Sequence, residues 1–135
     1  MPLVGNTTSG AISRARIASY IAASESVTPV TVTDGARTLT AAELFVSKLF
    51  VSTPTAGRAF TTPTGAELAA GVEDEVVGSS FEFTIVNLAA STHAITLTAG
   101  ASGVTLVGNA VVAAATSGTF VGVVTAAGTV SIYLK

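Results

Sequence analysis

After residue 26 the chain is governed by alternation of apolar and polar positions. Val27–Thr33 (VTPVTVT) alternates β-branched residues and predicts a strand, which Pro29 restricts to an edge or to a strand start. Asp34-Gly35 predicts a turn. Thr40 and Glu43 have the spacing of a capping box for one helical turn. Leu44–Ser52 is apolar and aromatic and predicts a further strand, broken by Pro54 and Gly57; Arg58–Thr61 predicts another. The strongest helix signal lies near 63–70. There Thr64 and Glu67 stand three apart, and Gly71 supplies a C-terminal stop.

The remainder predicts strands in quick succession. Ser80–Leu88 alternates Phe81, Phe83 and Ile85 against Glu82 and Thr84. Ala94–Thr98 puts Ile95 and Leu97 on one face. Val104–Val107, Val111–Ala115, Thr119–Thr125 and Thr129–Leu134 follow, separated by turn residues such as Gly103 and Gly108-Asn109. Turn signals every 8–12 positions are the pattern of a sandwich or barrel. The expected fold is therefore all-β, a β-sandwich or jelly-roll-like barrel over residues 27–135 with one short helix. Tandem repeats are absent, apart from a loose echo between AITLTAG and GVTLVGN that reads as two similar strands. Residues 1–26 follow a different pattern. Ile12, Ile17, Tyr20 and Ile21 fit a helical stripe only in part, which leaves a frayed terminus or an N-terminal arm that orders against a neighbouring subunit. The arm supplies the candidate partner contacts Arg14, Arg16, Ile17 and Tyr20.

Composition sharpens this picture at one point. Charged residues make up only 10% of the chain, against about 25% in a typical soluble domain. Five of the six basic residues (Arg14, Arg16, Arg37, Lys48 and Arg58) lie in the first 60 positions, and from Phe83 to Leu134 there is no Asp, Glu, Lys or Arg. Either Thr and Ser solvate the outer strand faces, or other subunits cover them. Covering is the preferred reading, because exposed sheet edges rely on charge or Pro to resist pairing and this stretch has neither.

Candidate chemistry is sparse. The chain has no Cys, which excludes disulfides, thiolate metal sites and Cys nucleophiles, and its one His, His93, makes no zinc site alone. Glu73, Asp74, Glu75 and Glu82 form an acidic group without calcium-loop spacing; a solvated turn is the plain reading, and a small hydrolase using Glu73, Glu75 or Glu82 the sharp one. No Ser sits in G-x-S-x-G, and the glycines do not form G-x-G-x-x-G ahead of a helix. No catalytic residue, cofactor site or metal site is expected. A net charge of −2 and five dispersed cations without interleaved aromatics argue against nucleic acid. No apolar run approaches the roughly 20 residues of a membrane span, and the N-terminus lacks a signal-peptide pattern.

One stretch has a wider likeness. Phe60-Thr61-Thr62-Pro63 is followed by Val77-Gly78-Ser79-Ser80-Phe81-Glu82-Phe83-Thr84-Ile85-Val86-Asn87, then Thr96-Leu97-Thr98, Gly103-Val104-Thr105-Leu106-Val107-Gly108, Thr116-Ser117 with Phe120, and Ile132-Tyr133. Residues 57–134 so arranged resemble small β-rich structural proteins of tailed bacteriophages; residues 1–56 lie outside the pattern. The resemblance implies a virion component of the head decoration or cement type, made in the host cytoplasm and placed on the capsid surface. It implies no catalytic residues. The expected partners are major capsid subunits and further copies of the chain, with a homotrimer favoured. The alternative is a receptor- or glycan-binding module of a tail fibre or spike, disfavoured because most aromatics fall in predicted strands or the arm.

Overall fold

The computed structural model describes residues 27–72 and 76–135. Among the described residues ten strands lie in chain order: β1 (Val30–Val32), β2 (Arg37–Thr38), β3 (Leu49–Ser52), β4 (Arg58–Thr61), β5 (Ser80–Asn87), β6 (Ile95–Thr98), β7 (Val104–Val107), β8 (Val111–Val112), β9 (Thr116–Ala126) and β10 (Thr129–Leu134). A wide helical turn spans Glu43–Ser47, and one helix, α1, spans Gly65–Gly71. The protein is strand-rich, with two mixed sheets and few helices. A six-stranded sheet has the order β1-β3-β5-β9-β10-β7, and a four-stranded sheet the order β2-β4-β6-β8.

The chain alternates between the two sheets at every step from β1 to β9; only the β9–β10 hairpin stays within one. From β1 to β6, alternate strands pair in parallel. β1, β3 and β5 pair with Val30 beside Phe50 and Phe50 beside Ile85, while β2, β4 and β6 pair with Thr38 beside Thr61 and Thr61 beside Thr98. Parallel neighbours need a crossover, and here each crossover runs through the opposite sheet. Among the described residues five of the eight strand pairings are parallel, which departs from the antiparallel Greek keys of a jelly roll. Alternation along the sequence sets which face a residue occupies but not which strand lies beside it, so this pairing had no signature in the pattern.

Both sheets turn their apolar face to one shared core. Phe50, Phe83, Ile85, Phe120, Val124, Val130 and Ile132 come from the larger sheet; Phe60, Ile95, Leu97 and Val112 come from the smaller. Phe83 and Phe120 sit opposite each other in register, with rings stacked 5.3 Å apart, and Phe50 meets Phe83 edge-on at 6.3 Å. Each such ring contributes about 1.5–3 kcal/mol through burial, and a good aromatic pair about 0.5–1.5 more. Phe81 lies over its register partner Gly122, where a Cβ would collide with the ring. Phe45 closes on Phe81 at 4.9 Å and on Gly71 in the same way.

α1 forms where its capping box predicts. Thr64 Oγ1 accepts the Glu67 N–H at 3.2 Å, and Glu67 Oε1 accepts the Thr64 N–H at 3.0 Å. The helix buries Gly65, Leu68 and Ala69 and packs on β10. Gly65 is required there. Any Cβ on it would overlap the carbonyl oxygens of Gly103 and Gly128, so the helix start is seated directly on two turn backbones.

The expectation for Leu44–Ser52 is corrected. Thr40 and Glu43 do form a reciprocal cap, at 3.0 and 3.2 Å, and the helical turn it starts runs through Ser47. Lys48 then adopts left-handed backbone (φ 62°), its N–H donating to the Glu43 carbonyl, and only Leu49–Ser52 is strand. Arg37–Thr38 is a strand that the sequence pattern did not mark. Residues 1–26, with the partner contacts expected at Arg14, Arg16, Ile17 and Tyr20, lie outside the described residues.

Candidate functional site

The charged side chains of the described region are mostly tied to each other. Asp34, in the turn between β1 and β2, accepts the Arg58 Nε–H at 2.7 Å and the Thr55 N–H at 3.2 Å on Oδ1, and the Thr55 hydroxyl on Oδ2. The Arg58 guanidinium, followed by the Thr55 hydroxyl, holds the Asp34 carboxyl well below the usual carboxylate range, and Asp34 in turn raises Arg58. Arg37 pairs with Glu43, and Lys135 with Glu82 at 3.1 Å. Glu67 is lowered by the Thr64 backbone N–H and then its hydroxyl. Arg37 and Arg58 are thus committed to carboxylates of this chain.

Of the acidic group, Glu73, Asp74 and Glu75 lie outside the described residues, and Glu82 stands on the outer face of β5 against Lys135. Among the described residues no three His, Cys, Asp or Glu side chains gather as metal ligands would. His93 is half-buried, and its carbonyl accepts from Asn87 Nδ2 at 2.8 Å. Asn87, not singled out for chemistry by its sequence context, is a structural stitch. Its Nδ2 also donates to the Val112 carbonyl at 3.0 Å, and its Oδ1 accepts the Ala89 N–H, so the end of β5 is bound to β8 of the other sheet. Among the described residues no helix is long and apolar enough to cross a membrane.

What the fold presents outward is two sheet faces built of Thr, Ser, Val and Ala. On the smaller sheet Thr38, Thr61 and Thr98 form one row across three parallel strands, and Ala59, Thr96 and Val111 form the next. On the larger sheet Val107, Tyr133 and Val121 form a row that ends at Glu82, and Leu49, Thr84 and Thr119 form another. The hydroxyls across strands satisfy each other: Thr61 and Thr98 are 2.8 Å apart, Thr84 and Thr119 2.9 Å. In the first pair both donors have an acceptor, since Thr98 Oγ1 also donates to the Phe60 carbonyl at 3.4 Å; in the second, one hydroxyl donates to the other. Beside these rows, where β10 ends and β9 runs on, an open groove of about 470 Å³ is lined by Glu82, Thr84, Val111, Thr116, Thr119 and Lys135.

The chain matches no family model, no curated protein and no solved structure.

Proposed function

We propose that this chain is a virion structural protein, a decoration or cement subunit that stabilises a phage head by binding major capsid subunits. Its two sheets act as the faces of a sandwich-like body whose role is adhesive, not catalytic. The observation that carries this reading is the outer surface from β5 onward. It has no Asp, Glu, Lys or Arg between Phe83 and Leu134, and the Thr84 and Thr119 hydroxyls already hydrogen-bond to each other across strands. Such a surface enters a contact without the cost of desolvating a charge. The likeness of residues 57–134 to phage structural proteins points the same way. Contacts of this kind need roughly 1,200–2,000 Å² of total buried area.

The receptor-binding alternative needs exposed aromatic side chains. Phe50, Phe60, Phe83 and Phe120 are fully buried, Phe45 and Phe81 pack against the core, and Tyr133 is the aromatic that reaches the described surface. The test is made on particles. Purified heads should carry the protein in fixed stoichiometry, and heads lacking it should release DNA at a lower temperature. Equal robustness of the two kinds of head overturns the reading.

A further inference from the structure

The two sheets have four edge strands among the described residues, and they are not alike. β2 and β8 are two residues long, and β1 is three residues long and follows Pro29. Shortness and proline are the ordinary ways of blunting an edge. β7 is the longest of the four and carries neither charge nor proline: Val104, Thr105, Leu106, Val107. Gly103 and Gly108, both left-handed (φ 73° and 82°), frame it, and nothing lies within 4 Å of the place a side chain would take on Gly108. Val104 and Leu106 pack against the core but stay half-buried, Thr105 is exposed, and Val107 is 42% exposed.

The hydrogen bonds of the β10–β7 pair show which backbone groups are open. β7 runs parallel to β10 with Val104 beside Val130, and the Val130 N–H donates to the Gly103 carbonyl at 2.8 Å. In a parallel ladder a residue bonds to the two that flank its partner. Gly103 and Thr105 therefore turn their groups to β10, while Val104 and Leu106 turn an N–H and a C=O each to the free side.

We propose that this edge is a self-pairing seam, in which β7 of one copy lies antiparallel to β7 of a second copy on a two-fold axis at Thr105. The register follows from the open groups. Val104 faces the partner's Leu106 and Leu106 faces the partner's Val104, which makes hydrogen-bonded pairs of the only residues with groups to offer. Thr105 faces the partner's Thr105 in the closer, non-hydrogen-bonded position. There the two hydroxyls meet as those of Thr61 and Thr98 already do within the chain. Equivalent positions keep Val104 and Leu106 on the core side in both copies and join the two larger sheets into one. A second copy fits this edge better than a charged segment. Self-pairing sets like charges together in most proteins, but here the nearest outward neighbours are Val107, Ser131 and Tyr133, and an acidic or basic strand finds no counter-charge. The contact is isologous and closes as a dimer. It does not depend on the virion reading, and it replaces the expected trimer with a two-fold contact.

The test uses the full chain, which has no cysteine of its own. In the non-hydrogen-bonded position the two Cα atoms stand about 4.5 Å apart, within the range of about 4.4–6.8 Å that a disulfide spans. Thr105→Cys should therefore form a covalent dimer rapidly under mild oxidation, while Thr31→Cys, exposed on the opposite edge β1, should not. By sedimentation equilibrium the unaltered protein should dimerise. Thr105→Lys, an exposed change that leaves the circular dichroism intact, should weaken the dimer about tenfold or more through two directly opposed lysines. Three results overturn the proposal: Thr105→Cys crosslinks no faster than Thr31→Cys, the unaltered protein is monomeric at its highest soluble concentration, or Thr105→Lys leaves a dimer or trimer unchanged. Coverage of the edge by residues 1–26 of the same chain would appear as the first two together.

Discussion

The strands before and after residue 100 are held in register by different means. From β1 to β6 the chain climbs in parallel steps through both sheets, and ion pairs tie its turns, Asp34 to Arg58 across successive steps and Arg37 to Glu43 at the helical turn, with Thr55 donating hydrogen bonds to Asp34. From β7 to β10 there is no ion pair within the segment to set register, because there is no Asp, Glu, Lys or Arg before Lys135. Backbone approach does that work instead: Gly65 on Gly103 and Gly128, and Gly122 under Phe81. The first arrangement adds exposed ion pairs to a packed core. The second has packing and close backbone approach alone.

The largest expected effect comes where the two regions meet. Phe83 touches Phe50 of the first and Phe120 of the second, and it is fully buried. Phe83→Ala should destabilise the protein by about 3–5 kcal/mol, as large-to-small changes at buried aromatics do. Denaturant unfolding should still show one transition; two transitions would mean the regions fold separately. A step below lies the glycine seat. Gly65→Ala forces a Cβ into two carbonyl oxygens that belong to backbone and have little room to yield. A loss of about 1–3 kcal/mol is expected. Gly108→Ala is the comparison, since its cost is the left-handed backbone alone, in open space, and about 1 kcal/mol suffices. Equal losses would show that the seat is not tight.

Much of the strand map was legible because alternation reports burial: Phe83 and Ile85 point in, Glu82 and Thr84 out, as β5 shows. The helix was legible because Thr64 and Glu67 satisfy each other's backbone groups locally. Sheet membership was not, because AITLTAG and GVTLVGN look alike yet contribute β6 to the smaller sheet and β7 to the larger. The roles of Gly65, Gly103 and Gly128 were hidden for the same reason: their contact joins positions far apart in sequence. The proposed seam was half legible. The missing charges from Phe83 onward signalled a surface open to pairing, but only the strand order shows that β7 is the edge.

The smallest effect is the one that separates the two regions most cleanly. Unfolded, Asp34 titrates near 4; folded, the Arg58 and Thr55 contacts hold its carboxyl lower. Below pH 4 the unfolded chain therefore binds more protons than the folded one, and stability falls as pH falls. The contribution of Asp34 is complete above its unfolded value and is lost as pH drops toward its depressed native value. Glu67, lowered by Thr64, has the same sign. Thermal melts between about pH 7 and pH 3 should fall less steeply for Asp34→Asn than for the unaltered protein, with only a small difference at neutral pH because the pair is exposed and screened. High salt should shrink the difference further. Amide exchange makes the regional contrast visible. Acid should lower protection of β1 to β4 in the unaltered protein toward the level that Asp34→Asn shows at every pH, while protection in β9 and β10, which carry no carboxylate to protonate, should follow only global unfolding. Identical pH slopes for the two proteins would remove the ion pairs as the agents of register in the first region and leave packing to explain both.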